Sequence, residues 1–333
     1  MTVQAFEQLE KEFGDFIGNP NTVAVASGTA ALHIACEVAR TQITDDVTGI
    51  VQPRIAIPEY TMVACPRAAR MADMQPVFVD CLDNLQMNMD LIPDNVDAVM
   101  AVHIYGNLCD MEKIHSKQRL VIEDMAEVHG AFPHPETFAA CWSFYKNKTI
   151  HGEEGGMIAF KSPREAALAK RLRTLGFDQH HDYFHEPRGV NARMSNAHAE
   201  LILPSLRSYP SANLRRHQLS ARYDRWVPSD WQMAAREYPW VYPLRIRGMG
   251  KFEQQALVSK LNDAGIAARQ GFKSMVCQEE FSIHPWNRKG NTTSLHYEVI
   301  YLPLSEDLRD SDIGPICEQL MSIAKIVIPE LTP

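Results

Sequence analysis

The chain has 333 residues, 45% of them apolar and 22% charged, which is ordinary for a globular protein and long enough for two cores. Its 33 basic and 41 acidic residues leave a net charge of −8, which argues against a broad nucleic-acid footprint. Seven scattered cysteines without CxxC spacing speak against a disulfide frame or zinc site, and no apolar run approaches membrane-spanning length, so a cytoplasmic protein without a membrane partner is expected.

Phe6, Leu9, Phe13 and Phe16 recur at helical spacing, so residues 4–17 read as an amphipathic helix. TVAVASGTAALHIACEVAR then reads as a short strand, a glycine turn and a helix. The alternation continues through strand-like IVQPRIAIP, helix-like TMVACPRAARMA, strand-like PVFVD and AVMAVHIYG, helix-like MEKIHSKQ, and strand-like LVIEDM and MIAF. Short apolar strands alternating with helices predict an α/β fold, a mostly parallel sheet sandwiched by helices. Residues 163–225 are helix-rich and basic, interrupted by the irregular HHDYFHEPRGVNARMS. A composition shift follows, then WVYPLRIRG, FEQQALVSKLNDAG and DIGPICEQLMSIAKIV. These divide the chain into a large α/β domain over residues 1–220 and a smaller α+β C-terminal domain over 221–333.

In parallel sheets ligands sit at the carboxyl ends of strands, so the turns there carry the chemistry. SGTAAL, residues 27–32, offers backbone N–H groups, a hydroxyl and a helix N-terminus, which suits a phosphate; a plain helix cap fits it equally. VIEDMAEVHG, residues 121–130, ends a strand with acids. There Asp124 reads as a ligand for a metal, a ribose or a pyridine ring nitrogen, or as a helix cap. CWSFYKNKTIHGEEGG, residues 141–156, sets Lys146 and Lys148 at a strand end before a glycine turn. Both read either as solvated loop charges or as an amine whose desolvation suits Schiff-base chemistry.

The order of these pieces, a phosphate-type turn, then a strand-end acid, then a strand-end lysine, is that of fold-type-I pyridoxal-phosphate enzymes. FEQLEKEFGDFIGNPNTVAVASGTAALHIA, IPEYTMVACPRAARMADMQPVFVD, AVHIYGNLCDM, VIEDMAEVHGA, SFYKNKTIHGEEGGMIAF, KRLRTLGF, GVNARMSNAHAEL and LPLSEDL follow in register over nearly the whole chain. Together they resemble the DegT/DnrJ/EryC1/StrS sugar aminotransferases, of which the chain looks like a compact, divergent member. The resemblance implies pyridoxal 5′-phosphate as cofactor, with Lys148 as the Schiff-base lysine and Lys146 at a variable position. It implies Asp124 on the pyridinium nitrogen, and Gly28, Thr29 and Ser143 on the phosphate. It also implies a homodimer in which Asn191 reaches the partner's phosphate. The reaction implied is transfer of an amino group from a glutamate- or glutamine-type donor to a keto acceptor, in the family usually a nucleotide-linked keto-sugar.

Two positions depart from that pattern. Met62 stands where an aromatic residue usually covers the cofactor ring, and Glu127 where glutamine usually bonds the phenolic oxygen. A carboxylate at Glu127 would repel a phenolate, so the residue is expected either to carry a proton or to turn away. These departures leave a second reading open, decarboxylation or other Cα chemistry on a free or carrier-attached amino acid. Candidate substrate residues are His151 in the glycine turn, His180, His181, His185 and Arg188 before Asn191, Arg269 in DAGIAARQGF, and Trp286 with its basic neighbours. An arginine among them would suit a carboxylate or phosphate.

Overall fold

The protein is described by a computed structural model covering residues 4–44, 52–117, 119–177, 183–185, 187–233, 237–282 and 290–328. Helix α1 (Ala5–Ile17) buries Leu9, Phe13 and Ile17 and ends at Gly18, whose left-handed φ of 69° no β-carbon opposes. It is followed by β1 (Thr22–Val25), α2 (Gly28–Ile43), β2 (Arg54–Pro58), α3 (Ala64–Met71), β3 (Gln75–Val79) and β4 (Ala98–Val102). Next come α4 (Met111–His115), β5 (Leu120–Asp124), β6 (Ala139–Ser143), β7 (Gly156–Phe160), α5 (Pro163–Leu172) and the long α6 (Asn196–Tyr223).

These strands form one sheet in the order β1-β7-β6-β5-β4-β2-β3. All its pairings are parallel except those of β7, which runs against both β1 and β6. Strands β4 and β7 are buried along their whole length, as a sheet covered on both faces requires. Alternation along β6 shows the two layers. Ala139 and Cys141 join the core under α2, α3 and α5, while Ala140 and Trp142 join the core under α1 and α6. The α/β expectation with helices on both faces is met.

The C-terminal part has β8 (Tyr242–Arg245), α7 (Lys251–Asp263), β9 (Arg269–Gln270), α8 (Thr292–Glu298), β10 (Val299–Leu302) and α9 (Ile313–Val327). Its three strands form an antiparallel sheet, β8-β10-β9, closed by α7 and α9 over Leu244, Leu257, Leu261, Ile300 and Leu320. Helix α6 joins the two parts. Ile202, Leu206 and Tyr209 pack into the large core, while Leu219 and Tyr223 of the same helix pack into the small one. Among the described residues no helix is long and apolar enough to cross a membrane.

A second tie between the parts is at Gly106, after β4. Its φ is 89°, and a β-carbon there would stand 2.2 Å from the carbonyl oxygen of Tyr238, whose N–H donates to the Gly106 carbonyl at 3.0 Å. Gly106→Ala therefore meets both a left-handed backbone and a wall of backbone. It is expected to destabilise the protein by about 2 kcal/mol or more, read as a lowered midpoint in urea unfolding. An unchanged midpoint would show that this approach relaxes at no cost.

Candidate active site

Because β7 alone is reversed, the carboxyl ends of β1, β2, β4, β5 and β6 open on the same edge of the sheet, and a cavity of about 410 Å³ lies there. It is lined by Ser27, Gly28 and Thr29 after β1, Thr61 and Met62 after β2, and His103 and Ile104 after β4. Asp124 and Glu127 enter from the end of β5, Ser143 and Lys148 from the end of β6. Trp240, Phe272 and Tyr301 from the C-terminal part close it.

At the α2 N-terminus the Ser27 hydroxyl accepts the Ala30 N–H at 3.1 Å, so Ser27 caps the helix while Gly28 and Thr29 face the cavity. A β-carbon on Gly28 would stand 2.6 Å from that of Ser143, and one on Gly156 would stand 2.4 Å from the Ser27 carbonyl oxygen. The turn and the end of β6 thus meet with no room for side chains. GVNARMS is laid along the same place, since the Ala26 N–H donates to the Ala192 carbonyl at 2.9 Å.

Asp124 is buried, and both its oxygens are engaged. Oδ1 accepts the Ala126 N–H at 3.0 Å and Oδ2 accepts the Cys65 thiol at 3.1 Å. Cys65 also meets the Thr61 hydroxyl at 3.1 Å, and burial together with Asp124 drives its thiol far toward the neutral form.

Lys148 Nζ lies 3.7 Å from Glu127 Oε1 and 3.8 Å from the centroid of the Trp240 ring. Burial lowers the amine's pKa, against the opposing pull of Glu127 and Asp124. Glu127 accepts the Tyr105 N–H at 2.8 Å through Oε2, and burial raises its carboxyl to about 7 despite Lys148 and that N–H. Tyr105 reaches this position in a left-handed conformation, φ 52°, which a non-glycine residue adopts at a cost. Of the two outcomes anticipated for Glu127, the side chain does not turn away; it faces Lys148. Lys146 does not line this cavity; its amine lies 5.9 Å from the centroid of the exposed Tyr145 ring.

A second cavity of about 480 Å³ lies on the far side of Lys148 and shares Asn147, Lys148, Trp240 and Tyr301 with the first. His151 and Arg269 line it. The His151 ring donates to the Lys148 carbonyl at 3.1 Å. Met62 lines the first cavity and is half exposed. Three other expected residues are not brought to either cavity within one chain. Asn191 is exposed, His185 bonds the Leu175 carbonyl at 2.8 Å, and Arg188 is held by Glu37 and by Asp73. For Arg188 the reason is local: two carboxylates on α2 and after α3 capture its guanidinium. His180, His181 and Trp286 lie outside the described residues. Reasoning from sequence did not find Trp240, Tyr105 or Cys65, which reach the site from other segments or through backbone atoms.

The donor set suits pyridoxal 5′-phosphate. A helix N-terminus with hydroxyls and a glycine cradle is suited to an anion, a buried carboxylate stands at the end of β5, and an amine faces the space between them. Fold and site together define a fold-type-I transferase. The family model of the DegT/DnrJ/EryC1/StrS aminotransferases matches residues 2–321. GDP-perosamine synthase of Caulobacter vibrioides is 30% identical across 94% of this chain and 88% of its own, and that of Escherichia coli O157:H7 is 27% identical over the same shares. In structure, the apo-form of Spr1654 from Streptococcus pneumoniae aligns with a TM-score of 0.89, at 20% identity, over 100% of this chain and 93% of its own. The chain belongs to the DegT/DnrJ/EryC1/StrS aminotransferase family, whose cofactor is pyridoxal 5′-phosphate.

Glu127 gives this site a pH signature. An unfolded glutamate titrates near 4.3, whereas folded Glu127 titrates at about 7, so the folded chain holds the extra proton between those values. The stability this contributes is full below about pH 4.3 and is lost as pH rises through about 7. In urea unfolding of the apoprotein, wild type should lose at least about 1 kcal/mol relative to Glu127→Gln between about pH 4.5 and about pH 7.5. A difference that stays flat would mean that Glu127 is ionised throughout.

Proposed function

We propose that the protein moves an amino group from a glutamate- or glutamine-type amino acid to a nucleotide-linked keto-sugar, with Lys148 as its Schiff-base lysine. One observation carries the assignment to Lys148: its amine is buried at the carboxyl edge of the sheet, 3.7 Å from Glu127 and facing the cavity that Gly28, Ser143 and Asp124 line. The acceptor class rests on the GDP-perosamine synthases, which match this chain over 94% of its length.

Gly28, Thr29 and Ser143 would hold the phosphate of the cofactor, the α2 N-terminus adding its partial positive charge. Asp124, kept in place by Cys65 and the Ala126 N–H, would hold a proton on the ring nitrogen. Bound there, pyridoxal 5′-phosphate supplies an aldehyde carbon that takes up amines and a ring that withdraws electrons from them. Lys148 would carry the proton between the donor's Cα and the cofactor's aldehyde carbon, a task suited to an amine with a lowered pKa. Glu127, with its proton, would donate to the ring's phenolic oxygen where an ionised carboxylate would repel it. Met62, which lines the cavity, would cover the ring with a thioether, softer and less fixed than an aromatic side chain.

The site is completed in a homodimer. Asn191 is exposed within one chain although its neighbour Ala192 bonds next to the phosphate turn, which supports its reaching a partner's phosphate.

Borohydride reduction of the holoenzyme followed by peptide mapping should label Lys148, and label on Lys146 would overturn the assignment. Glutamate or glutamine should convert the cofactor to its amine form. Release of carbon dioxide without such conversion would instead establish the decarboxylase reading. Lys148→Ala should lower turnover by at least about a thousandfold. If the site is shared, mixing inactive Lys148→Ala protein with an impaired Asn191→Asp protein restores activity that neither has alone, because a mixed dimer keeps one intact site. No recovery, with subunit exchange verified by mass, would show that each chain works by itself.

A further inference from the structure

Trp240 stands at a place that no motif marks. It is 5% exposed and precedes β8, yet its indole ring faces Lys148 Nζ with the amine 3.8 Å from the ring centroid. Two anchors fix the ring. The indole N–H donates to the Asn147 carbonyl at 2.8 Å, so Trp240 grips the residue next to Lys148. From α6, Arg216 Nη1 donates to the Trp240 carbonyl at 2.7 Å and to the Leu304 carbonyl at 2.6 Å, while Tyr105 stacks on the indole at 23°. Trp240 and Lys148 are also common to both cavities and form the wall between them.

Building on Lys148 as the reactive amine, we propose that Trp240 is a positioning residue for it: the indole face holds the Lys148 amine in the wall between the two cavities, while Asn147 holds the indole N–H and Arg216 the Trp240 backbone. The titratable groups facing the amine are Glu127, Asp124 and Cys65, with His129 nearby and His151 bonded to the Lys148 carbonyl. Burial favours the neutral amine, and the π face returns part of the lost stabilisation to the ammonium. Trp240 thus keeps both forms of Lys148 within reach and keeps the amine against Glu127.

The test reads Lys148 in the apoprotein, by reductive methylation with formaldehyde and cyanoborohydride across a pH series and quantification of the labelled Lys148 peptide. Trp240→Leu keeps an apolar cover without a π face and should move the labelling midpoint down by about one pH unit. Trp240→Phe keeps a weaker π face and should move it down by less. A thermal melt of each variant establishes that labelling is read on folded protein. If the leucine variant does not fold, the phenylalanine variant alone decides the sign. Midpoints that are unchanged, or that rise, would overturn the proposal, since an indole acting only to exclude water shifts them upward or not at all. The readout is independent of the reductive mapping of the holoenzyme. If that mapping labels another lysine, the assignment of Lys148 fails while the contact with Trp240 is still measured here.

Discussion

The constraint on which the site depends is the removal of water from one amine. Lys148 and Glu127 are both buried, and each is shifted toward its neutral form by the same loss of solvation. At 3.7 Å they restrain one another, because each in its charged form favours the charge of the other. A pair of this kind is worth little as a clamp, since desolvation offsets most of its attraction. Its value is chemical. Burial lowers the amine's pKa and raises the carboxyl's, so the proton on either group bears directly on the proton of the other.

Holding that pair requires strain and packing brought from far along the chain. Tyr105 adopts a left-handed backbone to aim its N–H at Glu127, and its ring is then wedged among Tyr60, Phe272 and Trp240. Its hydroxyl accepts the Phe272 N–H, so the same residue joins the end of β4 to the C-terminal part. Gly106, next in sequence, makes the backbone approach to Tyr238. Helix α6 runs through both cores, and its Arg216 fastens Trp240 and Leu304. The C-terminal part is therefore a wall of the site rather than an appendage, and the amine is buried only while the two parts stay packed.

What the sequence made legible follows from range. Strand-end motifs could be read because a buried parallel strand is a short apolar run, and the turn after it carries its chemistry within a few residues. SGTAAL, VIEDMAE and the lysine stretch are of this type, and the fold brings Gly28, Thr29, Asp124, Glu127, Ser143 and Lys148 into one cavity. Lys148 parts from Lys146 in space as it did in register, one buried against Trp240 and the other outside the first cavity. Trp240 and Cys65 were not legible, since an indole before a strand or a thiol in a helix has a role only through what it meets far along the chain. In the polar segment before Asn191 composition suggested ligand contacts; within one chain Arg188 is taken up by Glu37 and Asp73 instead.

The two departures from the family pattern compensate in chemistry. An aromatic cover paired with a neutral amide would hold a ring by stacking and by a hydrogen bond insensitive to pH. In the proposed site a half-exposed methionine would cover the ring loosely, while an acid of raised pKa would take the amide's place. Less would be fixed by shape, and more by a proton whose presence depends on Lys148, because the charge on the amine sets how readily Glu127 ionises. Withdrawing the proton from Lys148 thus strengthens the hold of Glu127 on its own. Orientation of a bound ring and readiness of the amine would then form one coupled equilibrium, with the left-handed Tyr105 holding Glu127 beside Lys148.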